Sequence, residues 1–262
     1  MPVGHYENFP VASFLLPARL RRPIEIIYRF ARSADDFADE GEDPAEIRLQ
    51  KLHDYRAQLE APSQPLLHDV GKIIREHDLP AQLFRDLLDA FSQDVTQKRY
   101  ASYAQVLDYC RRSANPVGRL LLHLFKRTTD SNLRASDAVC SALQLTNFWQ
   151  DVPIDYAKDG RIYLPQDEMA RFGVSERQLR EGIADESWRA LMKFQVDRTR
   201  KLMLEGKPLG KVLPGRVGLE IRATIQGGLR ILEKIEAAGY DVFRKRPVLT
   251  PLDWPMLLLK AA

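Results

Sequence analysis

At 262 residues the chain is long enough for one large domain or two small ones. Alanine, leucine, arginine, glutamate and aspartate dominate, glycine is sparse, and valine and isoleucine form no alternating runs, so helix is favoured over sheet. The 39 basic residues stand against 36 acidic ones, a net charge of +3, and nothing in that balance demands nucleic acid.

Cys110 and Cys140 are the only cysteines, each within an amphipathic stretch, which suits buried thiols in a reducing compartment rather than a disulfide framework. The stretch from Met1 to Pro17 has prolines, a histidine, a glutamate and no basic leader segment. Apolar runs fall far short of the roughly 20 residues that span a bilayer. These features predict a cytoplasmic protein for which any membrane contact is peripheral, at the inner face.

Taken in chain order, the first helix opens at Pro23 and carries Ile24, Ile27, Tyr28, Phe30, Ala31 and Ala34 on one face through to Asp39, with Gly41 as its stop. Asp43-Pro44 starts a second helix to about Glu60, followed by helices from Pro65 to Glu76 and from Pro80 to Thr96. From Tyr103 to Lys126 the apolar spacing gives one long buried helix, kinked near Pro116. Ser136-Asp137 precedes Ala138 to Trp149, apolar on nearly every side, the pattern of a central bundle helix. Shorter helices follow from Gln166 and Ser175, then a long one over Asp185 to Glu205, a break at Gly206 to Gly215, and a last long helix over Val217 to Gly239. A basic, proline-punctuated tail, RKRPVLTPLDWPMLLLKAA, completes the chain. No repeat or linker divides residues 1–262, so one all-α domain is expected.

Two acidic clusters carry the chemistry: Asp35, Asp36, Asp39 and Glu40 in ARSADDFADE, and Asp151 and Asp155 in QLTNFWQDVPID. The DxxxD spacing stacks two carboxylates on one helical face. Like charges so placed repel unless a cation neutralises them, and oxygen-only ligands suit magnesium, which completes its sphere with water and phosphate. Taken alone, such a pair reads as a solvated surface feature. The second pair resists that reading because it ends the most apolar helix in the chain. Arg32 lies one turn before Asp36, and Arg161 follows the second cluster after a turn that could close over a ligand; singly, each reads as an exposed salt-bridging arginine.

The segments YRFARSADDFADE, QLTNFWQDVPID and GRIYLP, in this order, resemble the squalene and phytoene synthase family, and FPVASFLLP, DVTQKRY and YCRRSANPVGRLL extend the likeness over roughly residues 5 to 240. The resemblance implies an isoprenoid-synthase-type helical bundle around a central apolar cavity and an isoprenoid diphosphate as substrate. It implies Mg2+, with Mn2+ as a substitute, on Asp35, Asp39, Asp151, Asp155 and Asn147. Arg32, Arg161, Gln144 and Asn147 would bind the diphosphate. Tyr109 would stand beside cationic intermediates, where a ring face or phenol stabilises positive charge; on the residues alone it reads equally as a core tyrosine with a satisfied hydroxyl.

Two features depart from the family pattern: Gln150 stands where arginine commonly precedes the first aspartate, and Pro153, lacking an amide donor, should bend or end the helix between Asp151 and Asp155. HYENFPVAS, FWQDV and SANPVGRL look like the branch acting on presqualene diphosphate in bacterial hopanoid synthesis. That likeness implies loss of diphosphate, cation rearrangement and capture by water, without NADPH; no strand-linked glycine fingerprint is present. Head-to-head condensation of two prenyl diphosphates, and a noncatalytic helical scaffold, are the competing readings.

Overall fold

The structure, a computed structural model, describes residues 16–39, 41 and 43–261. The opening motif HYENFPVAS and Glu40 lie outside these residues. Within them the protein is all-α, with thirteen α-helices and a short 3₁₀ turn. The backbone's sole β-type contact among the described residues is a parallel bridge between Arg99 and Ile162.

The first helix, α1 (Ala18–Asp39), begins five residues before the expected start and carries Pro23 inside it. Proline there forfeits one intrahelical hydrogen bond, and its ring is buried beside Leu20 and Ile24. Helices α2 (Ala45–Ala57), α3 (Pro65–His77) and α4 (Ala81–Thr96) follow the sequence expectation closely. The expected single helix from Tyr103 is two: α5 (Tyr103–Ser113) and α6 (Asn115–Leu124), divided at Ala114. Pro116 sits in the first turn of α6, where its missing amide does no harm but where it cannot continue the helix before it.

The organising element is α7 (Asp130–Asp159), 30 residues long. Thr129 caps its start by accepting from the Asn132 amide, and left-handed Gly160 (φ 71°) ends it. It passes through Pro153 without stopping. The lost hydrogen bond is outweighed by packing, because Phe148, Trp149 and Val152 around that turn are buried. Its N-terminal half contributes Val139, Ala142 and Leu143 to a core shared with α1 to α4 and α6. Its C-terminal half gives Leu145, Phe148 and Trp149 to a second core, shared with α5 and with α8 (Gln166–Phe172), α9 (Glu176–Glu181) and α10 (Glu186–Glu205). Cys110 and Cys140 are buried free thiols.

After α11 (Leu209–Val212) and α12 (Gly215–Ala237), the tail forms a 3₁₀ turn at Pro251–Asp253 and α13 (Trp254–Ala261), which packs on α12. The close approach of α10 to α7 depends on Gly206, because a β-carbon there would lie 2.4 Å from Val139 Cγ2 and 2.7 Å from the Ala135 carbonyl oxygen. The backbone oxygen cannot rotate aside. Gly206→Ala should therefore lower stability by about 1 to 3 kcal/mol through overpacking, read as an earlier thermal midpoint; an unchanged midpoint would show that the crossing has room for a β-carbon.

Candidate active site

Three carboxylate-bearing helix ends meet at the site: the last turn of α1 with Asp39, the last turn of α4 with Asp94, and the end of α7 with Asp155 and Asp159. Helix C-termini already carry partial negative charge, so gathering acids there raises the demand for positive charge. Arg161, just past Gly160 and only 8% exposed, answers it. Its Nη2 lies 2.8 Å from Asp159 and 3.6 Å from Asp39, and its Nη1 lies 3.8 Å from Asp94. It also donates to the Asp94 carbonyl (2.9 Å) and the Tyr163 hydroxyl (3.2 Å). Lys158 reaches across from α7 to Asp39 at 3.1 Å, and Lys98 pairs with Asp159 at 2.7 Å. Asp39 of the first motif is thus tied to the chain just beyond the second, more than a hundred residues away in sequence, and its charge is felt at Asp155.

The charge state of each acid follows from its surroundings. Burial, then repulsion by Asp39, pushes Asp35 up to about 6, against the pull of Arg32, which pairs with Asp35 at 3.1 Å and Asp36 at 2.7 Å. Burial, reinforced by Asp151, pushes Asp155 up to about 7. Burial likewise carries Asp94 up to about 7 although Arg161 and Tyr109 oppose it. Asp39 goes the other way: burial works to raise it, but Arg161 and Lys158 together hold it below the ordinary carboxylate range.

Tyr109 is buried, and its hydroxyl donates to Asp94 Oδ2 at 2.6 Å. Its ring belongs to an aromatic wall with Tyr100, Phe148 and Tyr163, in which Phe148 and Tyr163 stack with centroids 3.5 Å apart. The turn carrying Arg161 is fastened: Ile162 donates its amide to Lys98 O at 2.9 Å, and the guanidinium is enclosed by acids. This differs from the expected closing segment, because a buried cation with so many partners has little freedom to swing. Gln144 and Asn147 are half-buried on the α7 face that continues to Asp151. Asp151 is matched by Arg246 of the tail, whose Nη2 lies 2.9 Å from Oδ2.

An apolar cavity of about 100 Å³ is lined by Ile27, Tyr28 and Ala31 of α1, Val117 and Leu121 of α6, and Ile221 of α12. Ala31 is one turn from Asp35, so α1 carries both a wall of this cavity and the first acidic motif. The volume is below the several hundred Å³ usual for a ligand pocket, and an isoprenoid chain would have to widen it.

The residues fit a divalent cation. Asp35 and Asp155 are pushed upward by burial and by repulsion from Asp39 and Asp151 respectively, which a cation would reverse. Among the described residues no three His, Cys, Asp or Glu side chains are grouped so as to hold a metal ion; magnesium would need water and phosphate oxygens to complete its shell here. Sequence reasoning missed Asp94, Lys158, Asp159 and Arg246. Asp94 lay within the recognised DVTQKRY segment, and Lys158 and Asp159 within the polar turn, whereas Arg246 is 95 residues from its partner.

An all-α body with acid-bearing helix ends gathered around a buried arginine, and an apolar cavity along the first helix, is the organisation of an isoprenoid diphosphate enzyme. The squalene/phytoene synthase family model matches residues 3–253, and the chain belongs to that family. It is similar to the hydroxysqualene synthase of Rhodopseudomonas palustris, with 34% identity covering 95% of this chain and 85% of that protein. The hydroxysqualene synthase of Zymomonas mobilis is 37% identical, over 85% of this chain and 76% of its own length. Among solved structures, squalene synthase HpnC from Alicyclobacillus acidocaldarius superposes with a TM-score of 0.83 at 34% identity, covering 90% of each chain.

Asp155 gives a test of the electrostatics. Its folded-state value, raised to about 7 from an unfolded value near 4, means the folded form holds the proton more tightly. Its contribution to stability is therefore full below about pH 4 and is lost as pH rises through about 7. In cation-free buffer, Asp155→Asn should melt later than the wild type at pH 8, with the gap closing towards pH 4.5. A gap independent of pH would refute the assignment.

Proposed function

We propose that the protein converts presqualene diphosphate and water to hydroxysqualene and diphosphate. The observation that carries this reading is the junction of α1 and α7, where Lys158 and Arg161 both reach Asp39 at the end of a helix whose earlier turns line an apolar cavity. The named activity of the relatives selects this reaction from those open to the family.

Asp35, Asp39, Asp151 and Asp155, with Asn147, would hold Mg2+, or Mn2+ in its place, and Arg32, Arg161, Gln144 and Asn147 would orient the diphosphate. Bound there, the metal would offset the negative charge that grows on the leaving oxygen. Arg161 is already charged and fixed, so it stabilises that charge without reorganising. Heterolysis of the carbon–oxygen bond leaves a cyclopropylcarbinyl cation, which rearranges. The aromatic wall around Tyr109 faces that positive charge with ring surface. Water then adds through oxygen and loses a proton to give the alcohol, so no electrons are exchanged and no NADPH enters.

The same reading places the protein in the cytoplasm with peripheral contact at the membrane's inner face. The support is a row of exposed apolar side chains on the tail, Leu252, Trp254, Leu258 and Leu259, beside the exposed Lys260. Among the described residues no helix is long and apolar enough to cross a membrane.

Incubation with presqualene diphosphate and Mg2+, without reductant, should yield hydroxysqualene and free diphosphate. Consumption of farnesyl diphosphate to a hydrocarbon, with presqualene diphosphate left intact, would replace this reading by head-to-head condensation. Asp35→Asn and Asp151→Asn should each lower turnover by about 100-fold or more while keeping the helical circular dichroism. Full activity in both would remove the metal-assisted chemistry.

A further inference from the structure

The segment that follows α12 crosses the second acidic motif and is fastened to it. The guanidinium of Arg246 meets both oxygens of Asp151. The Pro247 carbonyl accepts from Gln150 Nε2, and the Val248 carbonyl accepts from Lys234 Nζ at 2.8 Å. Further along, Asp253, only 4% exposed, receives Arg230 at 2.8 Å, Lys234, and the Thr250 amide at 2.7 Å. The result is a strap laid over the end of α7.

Gln150 is 3% exposed and precedes Asp151 directly. A buried amide must be satisfied, and this one donates to the strap rather than to its own helix. Asp151 is itself 8% exposed, stands four residues from Asp155 and repels it. A carboxylate so placed needs a counter-charge, and a planar guanidinium held on both oxygens supplies it. The Arg246 side chain is 26% exposed, so it has a short path to solvent.

We infer that Gln150 is a positioning residue: by holding the Pro247 carbonyl it seats Arg246 on Asp151, keeping that carboxylate neutralised until a divalent cation takes it over. This rests on the reading of Asp151 as a metal carboxylate. A bound dication would take the place of the guanidinium, so that Asp151 keeps a counter-charge throughout.

The test uses the full chain, with Mn2+ as the probe and electron paramagnetic resonance of the free ion as the readout, in the absence of substrate. Arg246→Gln should bind Mn2+ roughly fivefold or more tightly than the wild type, and the gain should vanish when Asp151→Asn is added. Gln150→Met, which keeps the volume and removes the donor, should show part of that gain. Gln150→Met and Gln150→Ala should both exchange the amide hydrogens between Arg246 and Thr250 about tenfold faster, with melting followed to confirm the fold. Equal Mn2+ affinity in Arg246→Gln and wild type, or unchanged exchange in a folded Gln150 variant, would overturn the inference. Wild type that binds no Mn2+ even with pyrophosphate present would overturn the metal reading as well; wild type that binds it while the variants match would overturn this inference alone.

Discussion

The contact on which the structure depends is the one between a single buried guanidinium and acids delivered by three helix ends. Without Arg161, the C-terminal turns of α1, α4 and α7 would bring Asp39, Asp94 and Asp159 together with their helix dipoles adding to the repulsion. The arginine resolves this geometrically as well as electrically. Its fork also takes the Asp94 backbone carbonyl and the Tyr163 hydroxyl, so it fixes where α4 ends relative to the aromatic wall. Removing one partner from a buried charge network of this kind typically costs about 3 to 5 kcal/mol, and here the loss would fall on the elements that shape the site.

Neutralisation nevertheless remains incomplete. Asp39 is well supplied, by Arg161 and Lys158, and is held ionised. Asp35 and Asp155 are less completely matched: burial pushes Asp35 up to about 6 despite its pairing with Arg32, and Asp155 up to about 7. This unevenness is what a binding site for a cation with an anionic ligand requires: a fixed positive wall on one side and under-compensated oxygen on the other. A fully paired cluster would be more stable and would have nothing to offer a ligand.

Much of the fold was legible from spacing and punctuation. Apolar periodicity with proline and glycine at the boundaries located α3, α4 and α10 almost to the residue. It failed at Pro23 and Pro153, where proline sits inside α1 and α7, because local rules weigh the lost amide and cannot see the packing that outweighs it. The division of α5 from α6 at Ala114 was underestimated as a kink for the converse reason. In the site, the paired aspartates were visible because one helical turn is a local property. Tyr109 could be singled out, but its hydrogen bond to Asp94 could not, since the two residues lie on different helices. Arg246 left no trace at all: a basic tail is a common surface feature, and its engagement with Asp151 depends on the path of a segment without regular structure.

Because α7 supplies side chains to both hydrophobic cores, the two halves of the molecule share a structural beam about 45 Å long. Neither half can melt while leaving that beam fully packed for the other. Loss of order in the α1 to α4 half would be felt at Trp149, whose indole is hydrogen-bonded to Thr199 in the opposite half, and disturbance of α10 would travel back to Val139. Denaturation should therefore proceed as one cooperative event, with the acidic end of the beam reporting on the integrity of the whole.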